Sequence, residues 1–599
     1  MSNTVHVAVI DKAHQHFDSA TLHVLWNDFS DQEGTVSLPS YVEVHADRLR
    51  TRFAEFVEAV SRRDVGGQSV SQLLLIRDDF SYWWMTLFAA TRWDKSSHIS
   101  DALKLIALSE VIDQHVPDQA SIGIENGHIA TAIARLLRSR SISVTNFVFN
   151  DSSIKRTYGS GRALLSLVKY VLTHFRVKPV HVSSQQDTLI VDHFVRFDEQ
   201  LARSGVYQSQ YWQPLQQLFD ASKRNILWLH HFVPGTRSLH SAQQTMDSMQ
   251  SPGERSHAQV ESRLSVNQLF RVLQDLRRLR KAEKQLSMVP SLFVEECSGI
   301  DLSDLFVDQW IDSLRGSTAT RHLIMLNQME DVFASLPKQS LGLFLCENQP
   351  WEAALCHAWS AHDHGKLVAV VHAPIRYWDF RYLSLGRALG QIQGLPTTKP
   401  LPSLVAVNSP ISVDFLNNSG CPGSRVVEVE SLMFNHLMQP RQASESQQTT
   451  LLVIGDFFVD QNLNLISLLT GALKIQPTPL NIVFKPHPMN HTIPDLSSLP
   501  HAKISDELLG DILPTVHTAV TCNGSTAALE CFACGVNTIS VLDPEVLNSS
   551  PLRSVDGASF VSSVSQLAKA ITHNSSRTIP TTPLVILDPS LPRWNGLIQ

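Results

Sequence analysis

Two short segments near the carboxyl end carry the residue types best suited to chemistry on a phosphate. The first is Lys485-Pro486-His487-Pro488, which follows the β-branched run Asn481–Phe484. Two prolines stiffen the turn and present a cation and an imidazole at a strand end, where either could hydrogen-bond a phosphate. The second is Cys522-Asn523-Gly524-Ser525-Thr526, running from the strand-like Thr518–Thr521 into Ala527-Ala528-Leu529-Glu530. Gly524 would let the backbone approach a ligand closely. Ser525 or Thr526 is expected to cap the helix and leave backbone N–H groups for an anion. Glu530, one turn in, could accept hydrogen bonds from a ribose or serve only as a favourable first-turn acid. Asp456, after Leu452-Val453-Ile454-Gly455, reads equally as a cleft residue or a helix cap.

A second set of polar groups follows the upstream strand-like runs. Arg77-Asp78-Asp79 come after Leu73–Ile76, His230-His231 after Asn225–Leu229, Glu295-Glu296 after Leu292–Val294, Glu347-Asn348 after Leu341–Leu345, and His372 after Leu367–Val371. General acid–base work needs such a positioned carboxylate or imidazole. Asp79 and Glu347 are the candidate catalytic carboxylates. Arg77, Asp78 and Trp83 sit in RDDFSYWW, whose aromatic faces suit a sugar ring or, alternatively, pack in a helix interface. Glu352 is a substrate candidate or an N-terminal helix charge behind Pro350. His372 and Arg376 head HAPIRYWDFRY, a clasp for an acidic sugar or phosphate, or an ordinary amphipathic loop.

These groups need strands that end on one edge. Short β-branched runs alternate with helical stretches along the chain, which predicts parallel α/β sheets. The polar stretch 439–450 reads as a linker. It divides an N-terminal α/β region, 1–438, with a helical insertion near 236–290, from a C-terminal Rossmann-like domain, 451–599. Ligands in such sheets bind outside the strands' carboxyl ends.

Composition bounds the function. The chain has 599 residues, a net charge of −7 and 43% hydrophobic residues, so several globular domains are expected and no global basic field recruits nucleic acid. The one basic stretch, Arg271–Lys284, is a solvated helix face or a contact to an anionic membrane. Seven cysteines show no disulfide framework, and Cys531, Cys534 and Cys522 read as buried thiols with no metal site. The opening residues lack a signal-peptide pattern and no run reaches the ~18 to 20 apolar residues of a membrane span. A cytoplasmic protein, at most peripheral to a membrane, is therefore expected. GxxxxGK[ST] is absent, and Gly159-Ser160-Gly161 lacks the context of a dinucleotide fingerprint.

KPHP followed by a Ser/Thr-rich turn and Glu resembles the motifs of GT-B sialyl-, polysialyl- and Kdo-type transferases that use CMP sugars. RDDFSYWW, ENQPWEAALCHAW and VHAPIRYWDFRY further resemble a group of surface-carbohydrate (O-antigen, capsule, lipopolysaccharide) biosynthesis proteins. The resemblance implies two facing Rossmann-like domains with a cleft between them and a metal-independent glycosyltransferase without a cofactor. The partners implied are a CMP-linked donor of a nonulosonic or Kdo-like acid and a glycan or lipid-linked glycan acceptor. It assigns His487 to the donor phosphate, Ser525 and Thr526 to the phosphate or cytidine side, and Glu530 to the ribose. The acidic motif that supplies the base in sialyltransferases is not intact here. The same fold also admits a UDP-sugar transferase or epimerase, a glycerophosphotransferase, or a non-catalytic glycan-assembly protein.

Overall fold

The computed structural model describes residues 5–12, 20–30, 32–92, 98–195 except 151–159 and 179–186, 197–233, 237–249, 256–289, 292–391, 399–438, 450–477, 480–488, 490, 492–499, 501–572 and 583–599. Among them, eighteen strands form three parallel sheets. Sheet 1 contains β1 (His6–Ile10), β2 (Leu22–Leu25), β3 (Thr35–Ser37), β4 (Gln119–Asn126) and β5 (Ser143–Asn150). Sheet 2 contains β6 (Thr188–His193), β7 (Ile226–His231), β8 (His257–Gln259), β9 (Leu341–Leu345), β10 (Lys366–Val370), β11 (Leu404–Val407) and β12 (Val426–Glu428). Sheet 3 contains β13 (Thr450–Ile454), β14 (Asn481–Lys485), β15 (Lys503–Ile504), β16 (Thr518–Cys522), β17 (Asn537–Val541) and β18 (Ser559–Val561).

All three sheets are wound the same way. Their orders are β3-β2-β1-β4-β5, β8-β7-β6-β9-β10-β11-β12 and β15-β14-β13-β16-β17-β18. Each starts in the middle, runs to one edge, then crosses over to fill the other. The reversal leaves a crevice at the carboxyl ends of the two central strands: β1/β4, β6/β9 and β13/β16. Burial on both faces accounts for the continuous apolar strands. Val7–Ile10, Leu451–Ile454 and Thr518–Cys522 are buried along their length.

Sheets 2 and 3 are the two Rossmann-like units expected; sheet 1 is a third that the single region 1–438 concealed. Its concealment has a physical reason. One apolar cluster runs from Val7 and Ile122 in sheet 1, through Phe53, Phe306 and Trp310, to Leu367 and Val405 in sheet 2. Sheet 3 is built on a separate cluster that includes Leu451, Val520 and Ile539.

The helices used below are α1 (His98–His115), α2 (Ser160–His174), α3 (Val266–Leu286), α4 (Ser303–Arg315), α5 (Ser317–Ser335), α6 (Pro350–Ala361), α7 (Phe380–Leu389), α8 (Val459–Ile475), α9 (Ala527–Ala533) and α10 (Pro592–Ile598). The helical segment expected near 236–290 instead extends through α3, α4 and α5 to Ser335, inside the crossover from β8 to β9. The last residues also depart from expectation, because they return from sheet 3 to sheet 2. Ile586 N donates to Asn408 O (2.8 Å), and the Glu430 carboxylate accepts the Arg593 and Trp594 N–H groups that open α10. Trp594, Leu597 and Ile598 then pack against Leu343 and Val368.

Two predicted strands are not sheet strands. Leu73–Ile76 ends a helical turn, Val70–Leu73, nucleated by a capping box in which Ser69 Oγ accepts from Gln72 N and Gln72 Oε1 from Ser69 N. Val294–Glu295 belongs to a two-stranded antiparallel hairpin with Ile300–Asp301. Short apolar runs carry no period that separates a strand from a helix end.

Candidate functional site

The carboxyl edge of sheet 2 gathers titratable groups around its crevice. β6 ends in Asp192-His193, β7 in His230-His231, and the chain leaving β9 passes Cys346 to Glu347. The His193 and His231 rings are 5.6 Å apart, and Trp351 of α6 lies 4.4 Å from His231 and 5.8 Å from His193. Glu261 holds His231 through Nδ1 (3.1 Å) while its other oxygen accepts the Phe232 N–H (2.9 Å). Burial, then neighbouring His231, pushes His193 down to about 4, so its neutral form prevails.

Glu347 is the carboxylate that follows β9 on this edge. Burial alone would raise its pKa, but His372, a hydrogen bond from Gln349, His193 and Arg381 together hold it below the ordinary carboxylate value. It is therefore ionised at neutral pH, as a base or nucleophile must be. Its pose is imposed by Glu352. The buried Glu352 carboxylate accepts the N–H groups of Glu347 (2.9 Å), Asn348 (3.0 Å) and Gln349 (2.9 Å). That clamp closes a tight turn with Asn348 at φ 53°, a left-handed conformation that Asn tolerates better than most residues. Burial pushes Glu352 up to about 8 against the pull of those N–H groups. Its role is the capping one, here extended to positioning Glu347.

Sheet 3 presents an edge of a different kind. At its crevice, β13 leads to Gly455-Asp456 and β16 to Asn523-Gly524. A Cβ at Gly524 would lie 3.3 Å from Ser549 Oγ, 3.6 Å from Asp456 Oδ2 and 3.8 Å from an Arg376 guanidinium nitrogen. Asp456 Oδ1 accepts from Phe458 N (3.1 Å) just before α8, leaving Oδ2 toward the turn. Asn523 is buried and ties the turn to Leu547 O (2.7 Å).

The two edges meet at Arg376. This residue follows His372 on the loop after β10 and donates from a guanidinium nitrogen to Thr526 Oγ1 across the cleft (2.8 Å). The Thr526 hydroxyl thus does not cap α9, and neither side-chain cap expected of Ser525 or Thr526 forms. The rest of the HAPIRYWDFRY loop is anchored for this purpose. Tyr377 is sandwiched between Arg50 (4.0 Å) and Arg553 (3.6 Å), Trp378 is buried, and Arg381 pairs through two bonds with Asp379 (2.8 Å each).

The remaining candidates have specific places. His487 packs edge-on to Phe457, ring centres 5.8 Å apart, beside the sheet 3 crevice. Lys485 Nζ donates to Glu507 O within its own domain. Glu530 is engaged by His436 Nε2 (2.7 Å), a bond that raises the His436 pKa. Ser525 is buried at the turn.

Four upstream candidates do not follow a sheet strand, because their assumed strand ends a helical turn. Arg77 belongs to a buried ion-pair network, reaching Glu330 (2.7 Å) and Asp275 (3.0 Å) on α5 and α3. Trp83 is core, against Phe88 and Trp310. Asp78 is exposed, and Asp79, 74% exposed, faces His357 of α6 at 3.6 Å. His193 and Glu261 are the residues that sequence reading missed. The run Thr188–Val191 followed by Asp192-His193 was the available signal for the first. Among the described residues no group of three or more His, Cys, Asp or Glu is arranged to hold a metal ion.

No family model matches the chain, and no curated protein sequence does either. Solved structures of similar outline include the UDP-GlcNAc 2-epimerase of Methanocaldococcus jannaschii (11% identity, 69% of this chain and 98% of that one, TM-score 0.38). MurG of Acinetobacter baumannii (10%, 65% and 91%, TM-score 0.34) and the calicheamicin glycosyltransferase CalG4 (13%, 66% and 92%, TM-score 0.35) are others. Likeness at this level carries no argument about activity, so function must be argued from the site.

Proposed function

We propose that this protein is a glycosyltransferase whose cleft between sheets 2 and 3 binds a nucleotide-activated sugar. One observation carries the reading. An ionised, rigidly held Glu347 stands at the sheet 2 crevice, while an Arg376–Thr526 bridge spans to the small-residue crevice of sheet 3. On the sheet 3 side, Gly524 carries no side chain at the turn, so a phosphate would meet backbone there, and Arg376 beside it would meet its charge. Phe457, exposed beside His487, offers a ring face to the base. Ser549 Oγ and Asp456 Oδ2 lie beside that turn, and Ser525 and His487 are the further polar partners of this reading; Lys485 and Glu530 take part only by leaving Glu507 O and His436.

In the transfer step, Glu347 removes the proton of an acceptor hydroxyl as its oxygen bonds to the anomeric carbon. The carbon–oxygen bond to the phosphate breaks, and its electron pair leaves with the nucleotide. Arg376 stabilises that developing charge in a site partly screened from water. The acceptor is a glycan or lipid-linked glycan, and a CMP-linked nonulosonic or Kdo-like acid is the donor to try first. Calorimetry with CMP, UDP and CDP tests this. CMP binding tighter than UDP or CDP is expected; a UDP preference moves the reading to a UDP-sugar enzyme, and absence of binding by all three sinks it.

A further inference from the structure

α2 is amphipathic twice over. One stripe, Ala163, Leu167, Tyr170 and His174, faces the body of the protein, with Tyr170 Oη donating to Gln328 Oε1 (3.1 Å) of α5. A second stripe, Leu164, Leu165, Val168, Val171 and Leu172, with Phe175 just past the helix end, faces outward, with Leu165 68% and Leu172 66% exposed. Ordinary surface helices turn a polar face to water, so six large apolar residues on one outward stripe need a partner.

The charges beside that stripe say which partner. Arg162 and Lys169 are exposed and spaced by seven, which keeps them in one row, and Arg176, also exposed, follows just past the helix end. At about 100° per residue that row borders the apolar stripe. Lys178 follows, and no acidic residue occurs from 160 to 178. An apolar stripe edged by cations is the pattern of a helix lying in the plane of an anionic bilayer, with its basic side chains at the headgroups. α3, whose basic stretch suggested a membrane contact from the sequence, is less suited. Its Arg271 is bound to Asp331 and its Arg278 pairs with Asp275 (3.5 Å). The start of α3 does adjoin α2, since Arg263 N donates to Val177 O (3.0 Å), and it exposes Val266 and Phe270 there. No helix among the described residues is long and apolar enough to cross a membrane, which fits a helix that lies on the surface.

We infer that the outward face of α2, Leu164 to Leu172 with Arg162 and Lys169, together with Phe175 and Arg176 just past its end, docks the protein in the plane of an anionic lipid surface. The site adds a lipid partner to the transferase reading without depending on it.

Flotation of the full chain with phosphatidylcholine vesicles, with and without phosphatidylglycerol, tests the inference. The chain is expected to float only with the anionic vesicles, and less so as salt is raised. The Leu165→Glu, Leu172→Glu double variant should lose flotation, and the Arg162→Glu, Lys169→Glu, Arg176→Glu triple variant should weaken it about 100-fold. Hydrogen exchange across 160–178 should slow on anionic vesicles in the unaltered protein. Each variant's thermal unfolding and nucleotide titration should match the parent, which separates loss of docking from loss of fold or of the cleft. Absence of vesicle binding by the unaltered chain overturns the inference. So does a dimer that the double variant dissociates without any vesicle binding, since the stripe would then belong to a second copy.

Discussion

The crevices of sheets 2 and 3 are built by the same winding yet carry opposite chemistry. At sheet 2 the strand ends bear His193, His231, Glu347 and, one strand over, His372, ionisable groups whose charges act on His193 and Glu347. At sheet 3 the corresponding positions are Gly455, Asp456, Asn523 and Gly524, small or spent on the backbone. A parallel sheet supplies the same converging geometry each time, so the side chains at the turn decide whether a crevice reacts or merely accommodates. Sheet 1 is the control. At its crevice Asp11 accepts the Glu125 N–H (2.7 Å), and burial raises the Asp11 pKa. Nearby, Lys104 of α1, 2% exposed, is bonded to Asn27 and to Pro544 O (2.7 Å each). That crevice is occupied with holding sheet 1 to sheet 3.

If the division of labour holds, Glu347→Gln should give the largest effect: transfer falling about 100-fold or more with nucleotide affinity nearly unchanged. Parallel loss of affinity would place Glu347 in binding and erase the contrast. Gly524→Val should do the reverse. Its added carbons crowd Ser549, Asp456 and Arg376, and nucleotide affinity should drop about ten- to a hundredfold by calorimetry. Arg376→Lys, which keeps the charge but not the planar fork, should cost about tenfold in the same titration. An unchanged affinity there would confine Arg376 to bridging the domains.

A smaller effect concerns acid stability on sheet 2. Burial holds His257 down to about 4 and also lowers its hydrogen-bonding neighbour His230 (3.1 Å). The folded pKa lies below the unfolded value, so this contribution is complete above about 6.5 and is lost as pH falls toward 4. His257→Gln should therefore narrow its Tm deficit relative to the parent across that window; a constant deficit would show that protonation of the pair plays no part. Least of all, Asp79→Asn should leave transfer within about twofold, as its exposed pair with His357 suggests. A large loss would restore Asp79 to the site.

Much of sheet 3 was legible from residue order. Its opening strand, Thr450–Ile454, and the turn after β16 follow from short runs rich in β-branched residues that end at Gly455 and at Asn523-Gly524. Glu347 was legible for the same reason, a carboxylate directly beyond an apolar strand. The strand expected before Arg77, Asp78, Asp79 and Trp83 is a helical turn instead, because a four-residue apolar run is common to strands and helix ends, and the Ser69–Gln72 capping box that decides the matter is a local hydrogen-bond exchange.

The alternation of parallel strands and helices and the residue types at several strand ends follow from residue order, since these depend on neighbours along the chain. Long-range packing fixes that the upstream region holds two sheets over one continuous core and that the tail returns to sheet 2. It alone also decided that Thr526 answers to Arg376, 150 residues away, instead of to its own helix. Side-chain partners across a cleft are chosen by packing between domains, and packing leaves no period in the sequence.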